Sequence, residues 1–128
     1  MILIDTSSWI HLLRPDGDRA VRRRVRMALE SGTACWCPLV QLELWNGARG
    51  DRERKVLRQF AEALPLLPMD EAVWSAAYDL ARRARSQGVT VPAADLAIAT
   101  CAQRHGVRIE SADADFARLS EVIPVKLS

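Results

Sequence analysis

Residues Met1 to Trp9 read MILIDTSSW. Ile2, Leu3 and Ile4 form an apolar run that does not alternate, which suits a strand buried on both faces, as in a parallel sheet. Asp5 follows at once, then hydroxyls at Thr6, Ser7 and Ser8, then apolar residues at helical spacing, Trp9, Ile10, Leu12 and Leu13. The stretch predicts a buried strand, a carboxylate at its C-terminal end and an immediate turn into a helix. In open α/β sheets that edge is where ligands bind.

Outward from this stretch, residues 6–13 predict the first helix, ended by the turn signal Arg14-Pro15-Asp16-Gly17. Asp18 caps a second helix that runs through Glu30. Its apolar stripe is Val21, Val25, Ala28 and Leu29, with Arg22, Arg23, Arg24 and Arg26 mainly off it. Residues 33–37 read as a second strand. A helix over 39–48 follows, with Leu39, Leu42 and the more marginal Trp45 on one face and Glu43 in its apolar middle. Another helix covers 51–64. Leu66 and Leu67, between Pro65 and Pro68, read as a very short third strand. Asp70 caps a helix to about residue 87, and an Ala-rich helix spans 93–105, closed by Gly106. Residues 107–110 read as a fourth strand, and 123–127, interrupted by Pro124, as a short edge strand. Strands alternating with helices predict an α/β fold of three layers, with a mostly parallel sheet of four to five strands between helices. Residues 1–128 are expected to form a single domain.

The formal net charge is only +2, so no global field marks a nucleic-acid binder, although a local split between an acidic pocket and a basic surface fits the same total. Cys35, Cys37 and Cys101 are an odd count with no zinc-site or disulfide spacing, and they read as small buried hydrophobes of a reducing compartment. No opening segment has the charge and length of a secretion signal, and no run is long enough to span a bilayer, so a cytoplasmic protein is expected. Of four tryptophans, Trp9, Trp45 and Trp74 sit on helical stripes and are expected in the core.

Sixteen residues are acidic, and four are out of place. Asp5 ends a buried strand, Glu43 interrupts an apolar helix, Asp95 begins an Ala-rich helix, and Asp113 follows the fourth strand. Each alone has a plainer reading: Asp95 as a residue favoured at a helix N-terminus, Asp113 or Asp115 as an N-cap, Glu43 as a solvent-facing side chain. Together they raise a problem of charge. Buried unpaired carboxylates are costly, and no Lys or Arg lies beside Asp5, Glu43 or Asp95 in sequence. A divalent cation resolves it. All-carboxylate donors favour Mg²⁺, with Mn²⁺ as a substitute, and phosphodiester hydrolysis makes the fullest use of such an ion.

At this point the sequence resembles the PIN-domain ribonucleases, most closely the VapC-type toxins of bacterial toxin–antitoxin pairs. The resemblance rests on four stretches in order: ILIDTSSWIHLLR, PLVQLELWNGA around Glu43, VPAADLAIATCAQRHG around Asp95, and IESADADF. It implies a Rossmann-like sheet and Mg²⁺-dependent endoribonuclease activity at an acidic cluster. It also implies a homodimer and a cognate VapB-type antitoxin. Position by position, Asp5, Glu43, Asp95 and Asp113 match the cluster as catalytic and metal-binding residues. Asp115 either supports the metal, replaces Asp113 or only caps a helix. Thr6 or Ser7 matches the hydroxyl that follows the first Asp. Ser111 stands where Thr is more usual.

An acidic pocket repels RNA, so basic residues must attract it. Arg14, Arg49, Arg104 and Arg108 are candidates because they lie near motif ends. The basic helix of Arg19 to Arg26 faces either the RNA or an acidic antitoxin tail. The rival reading is a non-catalytic Mg²⁺-binding α/β module, receiver-like or a PIN scaffold without activity. A receiver wants an acidic pair after the first strand, and a haloacid-type phosphatase wants Asp-x-Asp. Thr6 and Ser7 stand in those places.

Overall fold

A computed structural model describes residues 1–128. The chain runs β1 (Ile2–Ile4), α1 (Thr6–Leu13), α2 (Arg19–Glu30), β2 (Ala34–Cys35), α3 (Pro38–Asn46), α4 (Gly50–Ala63), α5 (Glu71–Ser86), α6 (Ala93–His105), β3 (Arg108–Glu110) and α7 (Ala114–Ser120). The strands form one parallel sheet in the order β2-β1-β3. Ile2 stands opposite Ala34 and Arg108, and Ile4 opposite Glu110. Successive strand residues point to opposite faces, yet Leu3 and Ile4, Ala34 and Cys35, and Ile109 and Glu110 are all buried. Both faces of the sheet are therefore covered, as the apolar run at the N-terminus requires.

The sheet has three strands where four to five are expected from sequence. The two missing ones survive as single parallel bridges at its edges, Trp36 with Leu66 and Ile109 with Leu127. Leu67 N–H donates to Trp36 O at 2.8 Å, and Ser128 N–H donates to Ile109 O at 2.8 Å. The first ladder does not lengthen because Pro65 on one strand and Pro38 on the other have no N–H to extend it past this bridge.

Helix starts follow local chemistry. Asp5, Asp18, Asp70 and Asp113 each accept a backbone N–H at the start of α1, α2, α5 and α7. Gly106 closes α6 with φ of 66°, the left-handed region that favours glycine. Between α1 and α2 the chain turns with Gly17 pressed against the His11 carbonyl, where no side chain fits.

The core is one cluster of 26 buried apolar residues. Trp9 of α1, Trp36 after β2 and Phe60 of α4 pack at its centre, with the Trp9 ring 5.7 Å from Trp36 and 5.0 Å from Phe60. Trp45 and Trp74, expected in the core, are each 38% exposed instead. In α3 the buried residues are Val40 and Leu44, while Leu42 is 64% exposed, so the helix is rotated from the face expected. Nearly every side of α3 is apolar, so hydrophobic spacing cannot set its phase. A polar contact made by Glu43 sets it, as described below.

Trp9→Ala removes the ring that joins two aromatic neighbours inside this cluster. It is expected to cost about 3–5 kcal/mol, read as a fall in the urea midpoint with unchanged slope.

Candidate active site

Asp5 leaves the end of β1 as the N-cap of α1 and is 3% exposed. Its N–H donates to Glu110 O at 2.9 Å, so the last residues of β1 and β3 are locked together. Its Oδ2 accepts Ser7 Oγ at 2.8 Å and Ser111 Oγ at 3.0 Å. Ser7 Oγ in turn accepts Ala112 N–H at 3.0 Å, and Ser111 Oγ accepts Asp113 N–H at 2.9 Å. Two serines thus fasten the loop after β3 to the end of β1 and bring Asp113 to the edge where Asp5 stands. Burial raises the Asp5 pKa, and the Ser7 and Ser111 hydroxyls oppose that rise.

Asp95 lies in the first turn of α6, 8% exposed, and its Oδ2 is buried with no hydrogen-bond partner. Burial, and then the charges of Asp5 and Asp113 with a contact from Asp115, push its pKa up to about 7. Asp113 caps α7 by accepting Asp115 N–H at 2.9 Å. One carboxylate oxygen from each of Asp95, Asp113 and Asp115 falls within 4.8 Å of the others. Asp115, left open by the sequence, is part of the group. Its other contact is Arg118 Nη1 at 3.4 Å.

Glu43 reaches this edge from α3, half-buried, and accepts Thr6 Oγ1 at 2.7 Å. Thr6 is the neighbour of Asp5, so this bond fixes the rotation of α3 against α1. The two candidate hydroxyls therefore divide their partners, Thr6 holding Glu43 and Ser7 holding Asp5.

The structure adds a carboxylate that the sequence did not single out. Glu110, the last residue of β3, is 3% exposed. It accepts Arg24 Nε at 2.7 Å and Ser8 Oγ at 3.0 Å. The only sequence signal for it was its position, since any residue at the end of a strand covered on both faces is buried. Its partner comes from a helix 86 residues away and leaves no local trace.

The four candidate arginines for RNA lie on separate elements. Arg14 is 13% exposed, donates to Glu53 at 2.9 Å and to Gly47 O at 3.1 Å, and ties α1 to the start of α4. Arg108 stands opposite Ile2, at the end of the sheet away from the carboxylates. Arg104 is in the last turn of α6 and Asp95 in the first, about 13 Å apart along the axis. Arg49 is exposed at the N-cap of α4. The cysteines are buried and free, and burial lifts the Cys35 thiol to about 11.

A family model described as PIN domain matches residues 2–122. Ribonuclease VapC11 of Mycobacterium tuberculosis is 39% identical over 119 residues, which is 91% of this chain and 89% of that protein. Ribonuclease VapC51 of the same organism is 33% identical over 123 residues, 94% of this chain and 85% of that protein. Among solved structures, FitAB bound to an IR36 DNA fragment superposes with a TM-score of 0.79 at 23% identity, over 100% of this chain and 94% of that one. DNA-bound VapBC from Salmonella typhimurium superposes with a TM-score of 0.79 at 18% identity, over 99% and 96%. These structural likenesses carry the fold.

The Asp95 shift fixes a pH dependence for the metal-free protein. Its pKa rises on folding from 3.8 to about 7. The folded state then holds a proton that the unfolded chain releases, so stability falls as pH rises through that interval. Asp95→Asn is expected to flatten the fall and to raise the melting temperature at pH 8 in EDTA, measured by thermal unfolding across pH.

Proposed function

The chain belongs to the PIN-domain family, on its VapC branch, and from that premise we propose that it is a Mg²⁺-dependent endoribonuclease and the toxin of a toxin–antitoxin pair. The observation that carries the reading is Asp95, a buried carboxylate with an unpartnered oxygen among Asp5, Asp113 and Asp115. Burial, and then the charges of its carboxylate neighbours, raise the Asp95 pKa to about 7, and a bound cation would relieve both. The donors are all hard oxygens, which fit Mg²⁺ and accept Mn²⁺ in its place. In this reading Asp95, Asp113 and Asp115 hold the ion together with Asp5. Once bound, Mg²⁺ supplies Lewis-acid polarisation of a phosphoryl oxygen and a lowered pKa for a nearby water.

The remaining chemistry falls to the chain. Glu43, steadied by Thr6, orients the attacking water and takes its proton. Ser7 and Ser111 keep Asp5 in place while the charge beside it changes. The relatives named as ribonucleases support RNA as substrate, and the structural neighbours that are toxin–antitoxin complexes support a VapB-type antitoxin as partner. A homodimer, a cytoplasmic location and a single domain belong to the same proposal. No helix is long and apolar enough to cross a membrane.

Wild type with Mg²⁺ is expected to cut cellular RNA into discrete fragments, and EDTA is expected to stop it. Asp5→Asn should lower the single-turnover rate by at least about 10²-fold, the scale of losing a few kcal/mol of transition-state stabilisation. Glu43→Gln should lower the rate while leaving Mg²⁺ affinity, read by calorimetry, nearly unchanged. No cleavage with either metal, alongside retained metal binding, would instead favour a binding module.

A further inference from the structure

The sequence of α2, RAVRRRVRMALE, sets five arginines against one glutamate. One of them, Arg24, neutralises Glu110. The other four, Arg19, Arg22, Arg23 and Arg26, line a shallow depression of about 410 Å³ together with Met27 and Glu30. None of the four forms an ion pair within the chain. They stand three and four residues apart, where like charges weaken a helix. Arg22 Nε is buried and donates to no acceptor. The chain thus holds four guanidinium groups on one face against the single carboxylate of Glu30, and none of the four is in an ion pair.

The position of α2 along the sheet is fixed by two contacts. Arg24, near the middle of α2, touches Glu110, whose carbonyl accepts the Asp5 N–H. From Arg24 the helix descends toward β2, where Thr33 O accepts Ile2 N–H at the far end of the sheet. Its N-terminal half, with Arg19, Arg22 and Arg23, therefore stands at the same sheet edge as the carboxylates. Arg19 lies about 7.5 Å along the helix axis from Arg24.

We propose that the Arg19, Arg22, Arg23 and Arg26 face of α2 binds phosphates of the RNA strand that flank the scissile one. The inference rests on the ribonuclease reading and names the surface that reading leaves unassigned. A strand with one phosphate at the carboxylates carries its next phosphates past this edge. Guanidinium groups meet phosphate oxygens in pairs of parallel hydrogen bonds, which suits Arg here better than Lys. An acidic peptide offers charge as well, but nothing requires it to run alongside Asp5.

The test is fluorescence anisotropy of a labelled single-stranded RNA on Asp5→Asn protein, which leaves the RNA intact, across a range of KCl. Adding Arg22→Gln and Arg26→Gln should weaken binding about tenfold or more near physiological salt. It should also reduce the slope of log K against log salt by about 1.4, because each phosphate of a single strand that is no longer neutralised takes about 0.7 from it. The control pair, Arg52→Gln with Arg58→Gln on exposed α4 positions, should do neither. Equal losses from both pairs would reduce the effect to overall charge and overturn the inference. So would unchanged RNA binding with lost binding of poly-glutamate, which would give the face to an acidic protein. Wild type that cuts the strand, while the variant binds it unchanged, defeats this inference alone. Wild type that neither binds nor cuts it defeats the ribonuclease reading too.

Discussion

Mutual repulsion among carboxylates at one edge of a small parallel sheet is the constraint around which this structure is arranged. Asp5 and Asp95 are buried, Asp113 and Asp115 half-buried, and the charges of the other three help push Asp95 to about 7. Left free, such groups separate. Here they are held by contacts that do not neutralise them: Ser7 and Ser111 on Asp5, the cap of α7 on Asp113, and the first turn of α6 under Asp95. These are hydrogen bonds from neutral donors, which fix position and leave the negative charge of Asp5, Asp95 and Asp113 in place; only Asp115 meets a cation, Arg118 at 3.4 Å.

Glu110 shows the other solution at the same edge. It is as deeply buried as Asp5, and the chain supplies its cation, Arg24, at 2.7 Å. Removing one partner of such a pair strands the other. The contrast distinguishes two kinds of buried acid within one fold. The acid given its own guanidinium is structural, tying α2 to the end of β3. Asp95, left without one, keeps its charge uncompensated, and the metal-free protein loses stability as pH rises from about 4 toward 7 as a result.

The path from β1 to Asp5 and α1 was legible because local signals agree there: an apolar run, a capping residue and helical spacing. The same agreement marked the caps at Asp18 and Asp70 and the end of α6 at Gly106. Sequence spacing failed where a tertiary contact decides. In α3 apolar residues surround the axis, and the helix sits with Val40 and Leu44 in the core, Leu42 outward and Glu43 bonded to Thr6. The strand at Leu66 shrank because Pro65 and Pro38, flanking its bridge to Trp36, have no N–H to extend it. The Arg24 and Glu110 pair was invisible for the same reason, since neither residue has a local pattern that names the other. Arg14, a candidate for RNA because it lies near a motif end, is a strut to α4.

The small net charge of +2 conceals the most consequential feature of the surface. Opposite charges that could have cancelled in ion pairs are kept apart, acids at the strand ends and arginines along α2, with Arg24 and Glu110 as the single seam between them. A polyanion approaching the acids alone is repelled, and one approaching α2 alone is attracted to a place where no chemistry occurs. Only when both regions share one edge can attraction hold a phosphate against carboxylates that would otherwise reject it. The seam is therefore more than a strut: by fixing α2 to β3 it sets the distance between the arginines proposed to bind RNA phosphates and the carboxylates proposed to cut the strand.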